Sequence, residues 1–364
     1  MKNNRVIISG GGTAGHIFPA ISIAEELNSS GKIYNILFVG AKKRMEMQKV
    51  PLAGYKIKGI WIDGFQRSFT IRNFMFPFKL GISLVHSLFI LLKFKPKFVI
   101  GTGGFASGPL LFAASILRIP TLIHEQNSFP GITNRMLSKL VDKICVSYDG
   151  MESYFPNKKI VKTGNPIRKY LYEKTNKIKA IKYFDLDPKK KTVLIVGGSL
   201  GAEPINKVIS NKILNFSNYQ IIWQTGKYNY KKYKELASNY KNVNVYEFIE
   251  KMNYAYSAAD IIISRAGALA IAEICFLQKP AILVPSPYVS ENHQMKNAEA
   301  LVSKQACILI EEHKLEINLL ESVNKILENT KYRQRLASNA KSLSFNNSSS
   351  KIVKELNNLI YDKR

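Results

Sequence analysis

Cysteine is nearly missing: the 364 residues hold 3, Cys145, Cys275 and Cys307. Their odd number and wide spacing exclude a disulfide framework and a zinc-ligand pair, so reduced thiols are expected. Arginine is also scarce, at 11 of 53 basic residues, although the 26 Asp plus Glu leave the chain at +27. Readers of bases lean on the planar Arg fork, and neither an Arg-rich stripe nor a recognisable binding motif is found, so no nucleic-acid partner is expected. A diffuse lysine surface, an anionic membrane or phosphorylated substrates account for the excess. The first residues hold no apolar segment long enough for a signal peptide, so the expectation is a chain that is not exported. Nor is there a long run of strongly apolar residues: the uncharged one at residues 80–92 has 13. That is below the ~18–20 a spanning helix needs, so contact with a membrane without crossing it is expected. Finally, residues 64–124 contain no Asp or Glu.

What is present is an ordinary globular composition, 46% apolar and 11% aromatic. The length fits two domains at roughly 100 to 200 residues each. Short β-rich runs at 6–8, 36–39, 98–100, 121–123, 144–146, 193–196, 221–223, 261–263 and 281–284 alternate with helix-length segments. Such alternation predicts an α/β fold with parallel sheets. The opening device occurs twice, VIISGGGTAGH at 6–16 and VLIVGGSLGAE at 193–203, each a buried strand running into a glycine turn and a helix. Two Rossmann-like domains are therefore predicted, 1–166 and 167–343, with Gly164, Asn165 and Pro166 breaking the chain after a strand-like run at 160–163. Residues 344–364 close the chain as an amphipathic helix, with Ile352, Val353, Leu356, Leu359 and Ile360 at helical spacing. It is expected to pack back on the N-terminal domain.

Gly10, Gly12 and Gly15 have the G-x-G-x-x-G spacing, where amides and a helix N-terminus suit an anion. A dinucleotide site also wants an acidic residue at the end of the second strand, and here Gly40, Ala41, Lys42 and Lys43 stand there, which disfavours NAD. No cofactor is expected. His16 follows the turn at the first helical positions, where the helix dipole disfavours imidazolium, so it is a candidate base. Further glycine turns, GTGGFASG at 101–108 and GGSLGA at 197–202, end other strands. Ligands of open α/β sheets bind at such edges, which predicts a site in the cleft between the two halves. In IIISRAGALAIAE at 261–273, amides around Gly267, Ala268, Leu269 and Ala270 suit a diphosphate, and Glu273 one turn deeper suits two ribose hydroxyls. Read in isolation, Glu273 is equally an ordinary surface glutamate. Asp185 and Asp187 form D-x-D, but Pro188 and three lysines follow, which marks a solvated loop, so no metal site is expected. In the acid-free stretch, Arg67, Arg72, Lys79, Lys93, Lys95, Lys97 and Arg118 interleave with Phe69, Ile71, Phe74, Met75, Phe76 and Phe78 around Pro77. Phe74, Met75, Phe76, Phe78 and Lys79 are the candidate contacts with an anionic membrane.

These motifs, with HEQNSFPGITNRML at 124–137 and KTGNPIRK at 162–169, stand in the order and spacing of one family. The chain resembles the MurG family, the UDP-N-acetylglucosamine:undecaprenyl-diphospho-muramoylpentapeptide N-acetylglucosaminyltransferases, from residue 5 to about 300. The resemblance implies the GT-B fold, inverting transfer of N-acetylglucosamine from its UDP carrier to the 4-hydroxyl of a lipid-linked muramoyl pentapeptide, and peripheral residence on the cytoplasmic face of the bacterial inner membrane. It implies that Thr13, Gly15 and His16 contact acceptor and sugar, with His16 as base. Asn127 and Arg168 would lie near sugar and phosphates, and Ser199 at the diphosphate. Ile249 would hold uracil through its backbone, Ala268, Leu269 and Glu273 the diphosphate and ribose, and Gln294 the donor sugar. Ala14, Phe105, Ala266, Ala270 and His293 depart from the family's usual Gly, Tyr, Ser, Thr and Gln. A UDP-N-acetylglucosamine 2-epimerase on the same fold is the nearest rival, but it has no use for the aromatic and basic stretch.

Overall fold

The apolar runs that read as continuous are continuous because both of their faces are covered. In the computed structural model, which describes residues 4–64, 74–173, 175–198 and 200–362, they form the centres of two sheets. The chain divides into two units, Met1–Arg168 with Asn347–Arg364, and Lys169–Asn346.

The first unit carries β1 (Arg5–Ser9), β2 (Asn35–Ala41), β3 (Lys56–Ile60), β4 (Phe98–Gly101), β5 (Thr121–Glu125), β6 (Lys143–Val146) and β7 (Ile160–Lys162). All pairs are parallel and the spatial order is β3-β2-β1-β4-β5-β6-β7. The order reverses at β1, so the loops after β1 and β4 lie side by side at the carboxyl edge, where such sheets bind ligands. Val6 pairs with Phe98 and Ser9 with Gly101, which brings Gly10 level with Thr102.

The terminal helix Ser348–Asp362 belongs to this unit. Ile352, Val353, Leu356 and Leu359 are buried in one cluster with Val6, Ile8, Ile17 and Ala24, and the Ser350 hydroxyl reaches Glu26 at 2.5 Å. Helical spacing of those four apolar residues is what turns them to one side.

Helix Phe76–Phe94, with Pro77 in its first turn and Lys95 left-handed at its end, outruns the uncharged 80–92 stretch because Lys79 and Lys93 fall within it. Its 19 residues are long and apolar enough to cross a membrane by length and composition only, a test that the core helix of a soluble protein also passes. It buries Ser83, Ser87, Ile90 and Leu91 and lies along helix Ser107–Ile116. Phe78, Ile82, Val85, Phe89 and Leu92 remain exposed on another face.

The second unit repeats the design with β8 (Lys191–Val196), β9 (Tyr219–Gln224), β10 (Val243–Tyr246), β11 (Ile261–Ser264), β12 (Ala281–Leu283) and β13 (Ile308–Leu309). These are ordered β10-β9-β8-β11-β12-β13 and all parallel. Its core is built around Trp223, Tyr233 and Phe216.

Candidate active site

In the first unit the glycines are spent first on letting loops approach each other. Gly103 (φ +97°) and Gly104 (φ +91°) occupy backbone conformations that other residues rarely adopt, and a methyl on Gly104 would fall 2.4 Å from the Gly11 carbonyl. A methyl on Gly103 would fall 2.8 Å from the His16 ring, so this glycine makes the imidazole's seat. The Gly11 N–H donates to the Gly103 carbonyl at 3.3 Å. The Gly12 N–H is also engaged, by the buried carboxylate of Glu46. Two of the first turn's amides are therefore committed within the protein, which narrows the anion cradle anticipated at Gly10, Gly12 and Gly15.

His16 opens helix Ala14–Ser29, whose N-cap Thr13 is exposed and accepts the His16 N–H at its carbonyl. The imidazole is half-buried, with Nδ1 3.0 Å from Gln126 Oε1. Gln126 lies just past β5 in HEQN and turns its amide nitrogen to the Thr102 carbonyl (2.9 Å) and to His124 Nδ1 (2.9 Å). Burial pushes the His124 imidazole down to about 4, against a smaller upward pull from the Gly164 carbonyl. Glu125, also buried, accepts the Asn127 amide N–H (3.0 Å) and side-chain amide (3.2 Å), the Gly131 N–H (3.1 Å) and the Asn134 amide (2.8 Å). One carboxylate thus shapes the loop that carries Asn127, and β5 places that loop beside His16. Arg168 sits with its guanidinium 6.0 Å from the ring of Phe18, two residues beyond His16 in the same helix. Phe105 is 42% exposed, and a methyl on Gly64 would meet its ring at 2.2 Å.

In the second unit Gln224 joins two predicted contacts. Its Oε1 accepts the Ile249 N–H (2.8 Å) and its Nε2 donates to the Gly198 carbonyl (2.9 Å). The Ile249 N–H is thereby used, which leaves the carbonyl for a base. Ser199 lies outside the described residues, as do Arg67, Phe69, Ile71 and Arg72. Gly201 again allows a close approach, since a methyl there would strike the Thr225 carbonyl.

Helix Ala268–Phe276 starts after Gly267, directly beyond β11, and holds Ala268, Leu269, Ala270 and Glu273. Glu273 is 1% exposed and accepts the Tyr256 hydroxyl at 3.0 Å, which removes the surface-glutamate alternative. Gln294 accepts the Ser286 N–H at 2.9 Å, and Asn297 one turn on donates to the Ala266 carbonyl at 3.4 Å. That bond ties helix His293–Val302 to the loop that precedes Glu273. Arg265 pairs with Glu312 at 2.5 Å and donates to the Val284 and Pro285 carbonyls. Asp187 accepts the Lys189 N–H at 2.8 Å, a local turn. Among the described residues no group of three or more His, Cys, Asp or Glu side chains is placed to hold a metal ion.

Of the membrane-contact candidates, Phe74 (86% exposed) and Phe78 (69%) are open, Met75 is exposed and Phe76 is half-buried. Lys79 is not a free surface cation. Its ammonium pairs with Asp63 at 2.5 Å and lies 5.4 Å from the Trp61 ring centre, because Asp63 ends the preceding strand connection at the foot of the same helix. Sequence reasoning passed over Gln126, Glu46, Glu125, Gln224 and Tyr256. Only Glu125 carried a signal, a carboxylate inside a run of polar residues at a strand's end.

Residues 6–146 match the glycosyltransferase family 28 N-terminal domain and residues 192–356 the family's C-terminal domain. The UDP-N-acetylglucosamine–N-acetylmuramyl-(pentapeptide) pyrophosphoryl-undecaprenol N-acetylglucosamine transferase of Flavobacterium psychrophilum is 50% identical, with 100% of each chain covered. Its counterpart in Parabacteroides distasonis is 47% identical over 100% of each chain. The crystal structure of Acinetobacter baumannii MurG superposes with a TM-score of 0.77 at 27% identity, covering 98% of this chain and 99% of that one. A UDP-GlcNAc 2-epimerase from Neisseria meningitidis superposes at 0.68 with 18% identity, covering 97% and 99%, a likeness of fold alone.

Proposed function

Because the chain belongs to glycosyltransferase family 28, and matches its pyrophosphoryl-undecaprenol N-acetylglucosamine transferases from end to end, we propose that it does what their name describes. It transfers N-acetylglucosamine from UDP-N-acetylglucosamine to a lipid-linked muramoyl pentapeptide, a step of peptidoglycan synthesis. The full-length identity of 50% carries this conclusion, and labelled-sugar transfer from the UDP donor onto lipid-linked acceptor, set against turnover of soluble UDP-sugar, tests it.

The finer reading is an inverting displacement. His16 removes the proton of the acceptor 4-hydroxyl as that oxygen attacks the anomeric carbon, and the bond from that carbon to the β-phosphate oxygen breaks, so UDP leaves with the electron pair. What supports His16 is a half-buried imidazole whose Nδ1 is already held by Gln126, on the loop that also carries Asn127. In the second unit, Glu273 receives the ribose hydroxyls while the amides at the start of its helix and Ser199 stabilise the leaving diphosphate electrostatically. Ile249 offers its carbonyl to uracil, and Gln294, next to the loop ahead of Glu273, reaches the donor sugar. Thr13, Gly15 and Arg168 serve the acceptor. No metal is required.

The acceptor's lipid tail confines it to a bilayer, so the enzyme works at the cytoplasmic surface of the inner membrane. The exposed stripe Phe78, Ile82, Val85, Phe89 and Leu92, with Phe74 at the head of the helix, is the insertion face. Lys93, Lys95 and Lys97 at the helix's far end add attraction to anionic lipid.

A further inference from the structure

The hydrogen bonds around His16 have a direction that can be deduced from chemistry alone. A backbone carbonyl only accepts, so His124, with Nε2 3.1 Å from the Gly164 carbonyl, carries its proton on Nε2. His124 is fully buried and its pKa lies at about 4, so it is neutral and its Nδ1 is a pure acceptor. Gln126 therefore faces three acceptors on one side, His124 Nδ1, the Thr102 carbonyl and the His124 carbonyl, at 2.9, 2.9 and 3.1 Å. Only the amide NH2 can donate to any of them, which turns Oε1 to His16. At 3.0 Å from that oxygen, His16 Nδ1 must donate. The arrangement is fixed from outside the ring as well: Thr102 Oγ1 donates to the His16 carbonyl at 2.8 Å, and Gly103 lies against the imidazole.

We infer that the Gly164 carbonyl, His124 and Gln126 form a buried relay of orientation that locks His16 in the Nδ1–H tautomer and leaves the lone pair on Nε2, the one atom able to accept the substrate's proton. Gln126 and His124 are positioning residues that act through His16 without touching substrate. No proton passes along the relay, because Gln126 donates nothing to His16 and His124 keeps its own proton throughout. When Nε2 is protonated, the Gln126 carbonyl dipole already faces the new imidazolium. The inference rests on the reading of His16 as base, and its test separates the two.

The experiment is ring-nitrogen NMR of protein labelled with ¹⁵N-histidine, the His16 signals being those lost in His16→Gln, combined with steady-state kinetics. In the parent, His16 is expected to show a protonated Nδ1 and a bare Nε2. In Gln126→Leu the proton redistributes towards Nε2, and kcat falls on the order of tenfold to a hundredfold with both KM values held. Gln126→Glu, as the neutral acid with its O–H turned to the Thr102 carbonyl or His124 Nδ1, restores an acceptor for Nδ1–H, so it returns the tautomer and at least part of kcat. A merely structural role predicts the reverse ranking, since a buried carboxylate disturbs packing more than leucine does. A parent His16 protonated on Nε2 overturns the relay, and this needs no variant beyond the assignment. Should the tautomers follow expectation while Gln126→Leu keeps its kcat, the relay stands and the assignment of His16 as base falls.

Discussion

Glu46 accepts the backbone N–H of Gly12 at 2.8 Å through one carboxylate oxygen, and its other oxygen accepts the N–H of Ala41 at 2.9 Å. The side chain threads between Gly11 and Gly40, where a methyl on either would lie within 2.5 Å of it. An acidic group does stand near the end of β2, as a dinucleotide site would want, but both its oxygens are spent on holding the first glycine turn against the second strand. Both contacts need an acceptor. Glu46→Gln turns an NH2 against one of the two N–H groups, and is expected to cost about 1–3 kcal/mol of stability. Urea unfolding checks this, and a midpoint equal to the parent's would contradict it.

His16→Ala is expected to lower kcat by about 10² to 10⁴-fold, the usual contribution of a general base, with little change in the melting curve. The measurement is initial rate at saturating donor and acceptor. A loss below tenfold reduces His16 to a positioning role.

Glu273→Ala removes a charge-assisted contact of about 1.5–3 kcal/mol, so the donor KM should rise by roughly ten- to 150-fold while the acceptor KM stays. Because Glu273 also receives the Tyr256 hydroxyl, Tyr256→Phe is expected to give a smaller rise in the same constant. An unaltered donor KM in a folded Glu273→Ala protein would remove it from the ribose site.

Folding stability should decline as pH drops from about 6.5 towards about 4. His124 is depressed in the folded chain, so the unfolded chain binds a proton first, and the stability present above the ordinary histidine value is lost on acidification. The slope contributed is at most about 1.4 kcal/mol per pH unit. Stability curves of the parent and of His124→Gln at several pH values check it: the variant should lose less over that window.

Replacing Phe74, Phe78 and Phe89 by Ser should weaken binding to anionic vesicles without unfolding the protein, because these three rings are exposed. Binding by the parent should also fall with added salt, since surface charge is screened within about 10 Å at 0.1 M. Equal vesicle binding by the folded triple variant would remove this face from membrane contact.

The central strands of both sheets were legible because burial on two faces demands uninterrupted apolar residues. The strands that escaped notice, β3, β10 and β13, are sheet edges. There KIKGI alternates lysine with apolar residues, VNVY is half-polar, and β13 is two residues long. Within the site, Glu273 was legible as a carboxylate one turn inside a helix, yet its burial depends on Tyr256, which comes from a different helix. Gln126 and Glu46 were not legible at all. Their roles come from loops that meet only when β1, β2, β4 and β5 lie side by side, and neither a glutamine nor a glutamate has a local pattern that announces such a partner.

The terminal helix Ser348–Asp362 sets an order in time for synthesis. Its leucines and isoleucine cover the same cluster as Ile17 and Ala24, but the ribosome must first make all of Lys169–Asn346. At roughly 5–20 residues per second, the nascent first unit waits on the order of ten to forty seconds with that apolar patch open to water. During this interval it is a natural client for chaperones. A gene cut after the first unit's opening segment would hold it in that state permanently, and the missing helix supplied in trans as a peptide should rescue its solubility.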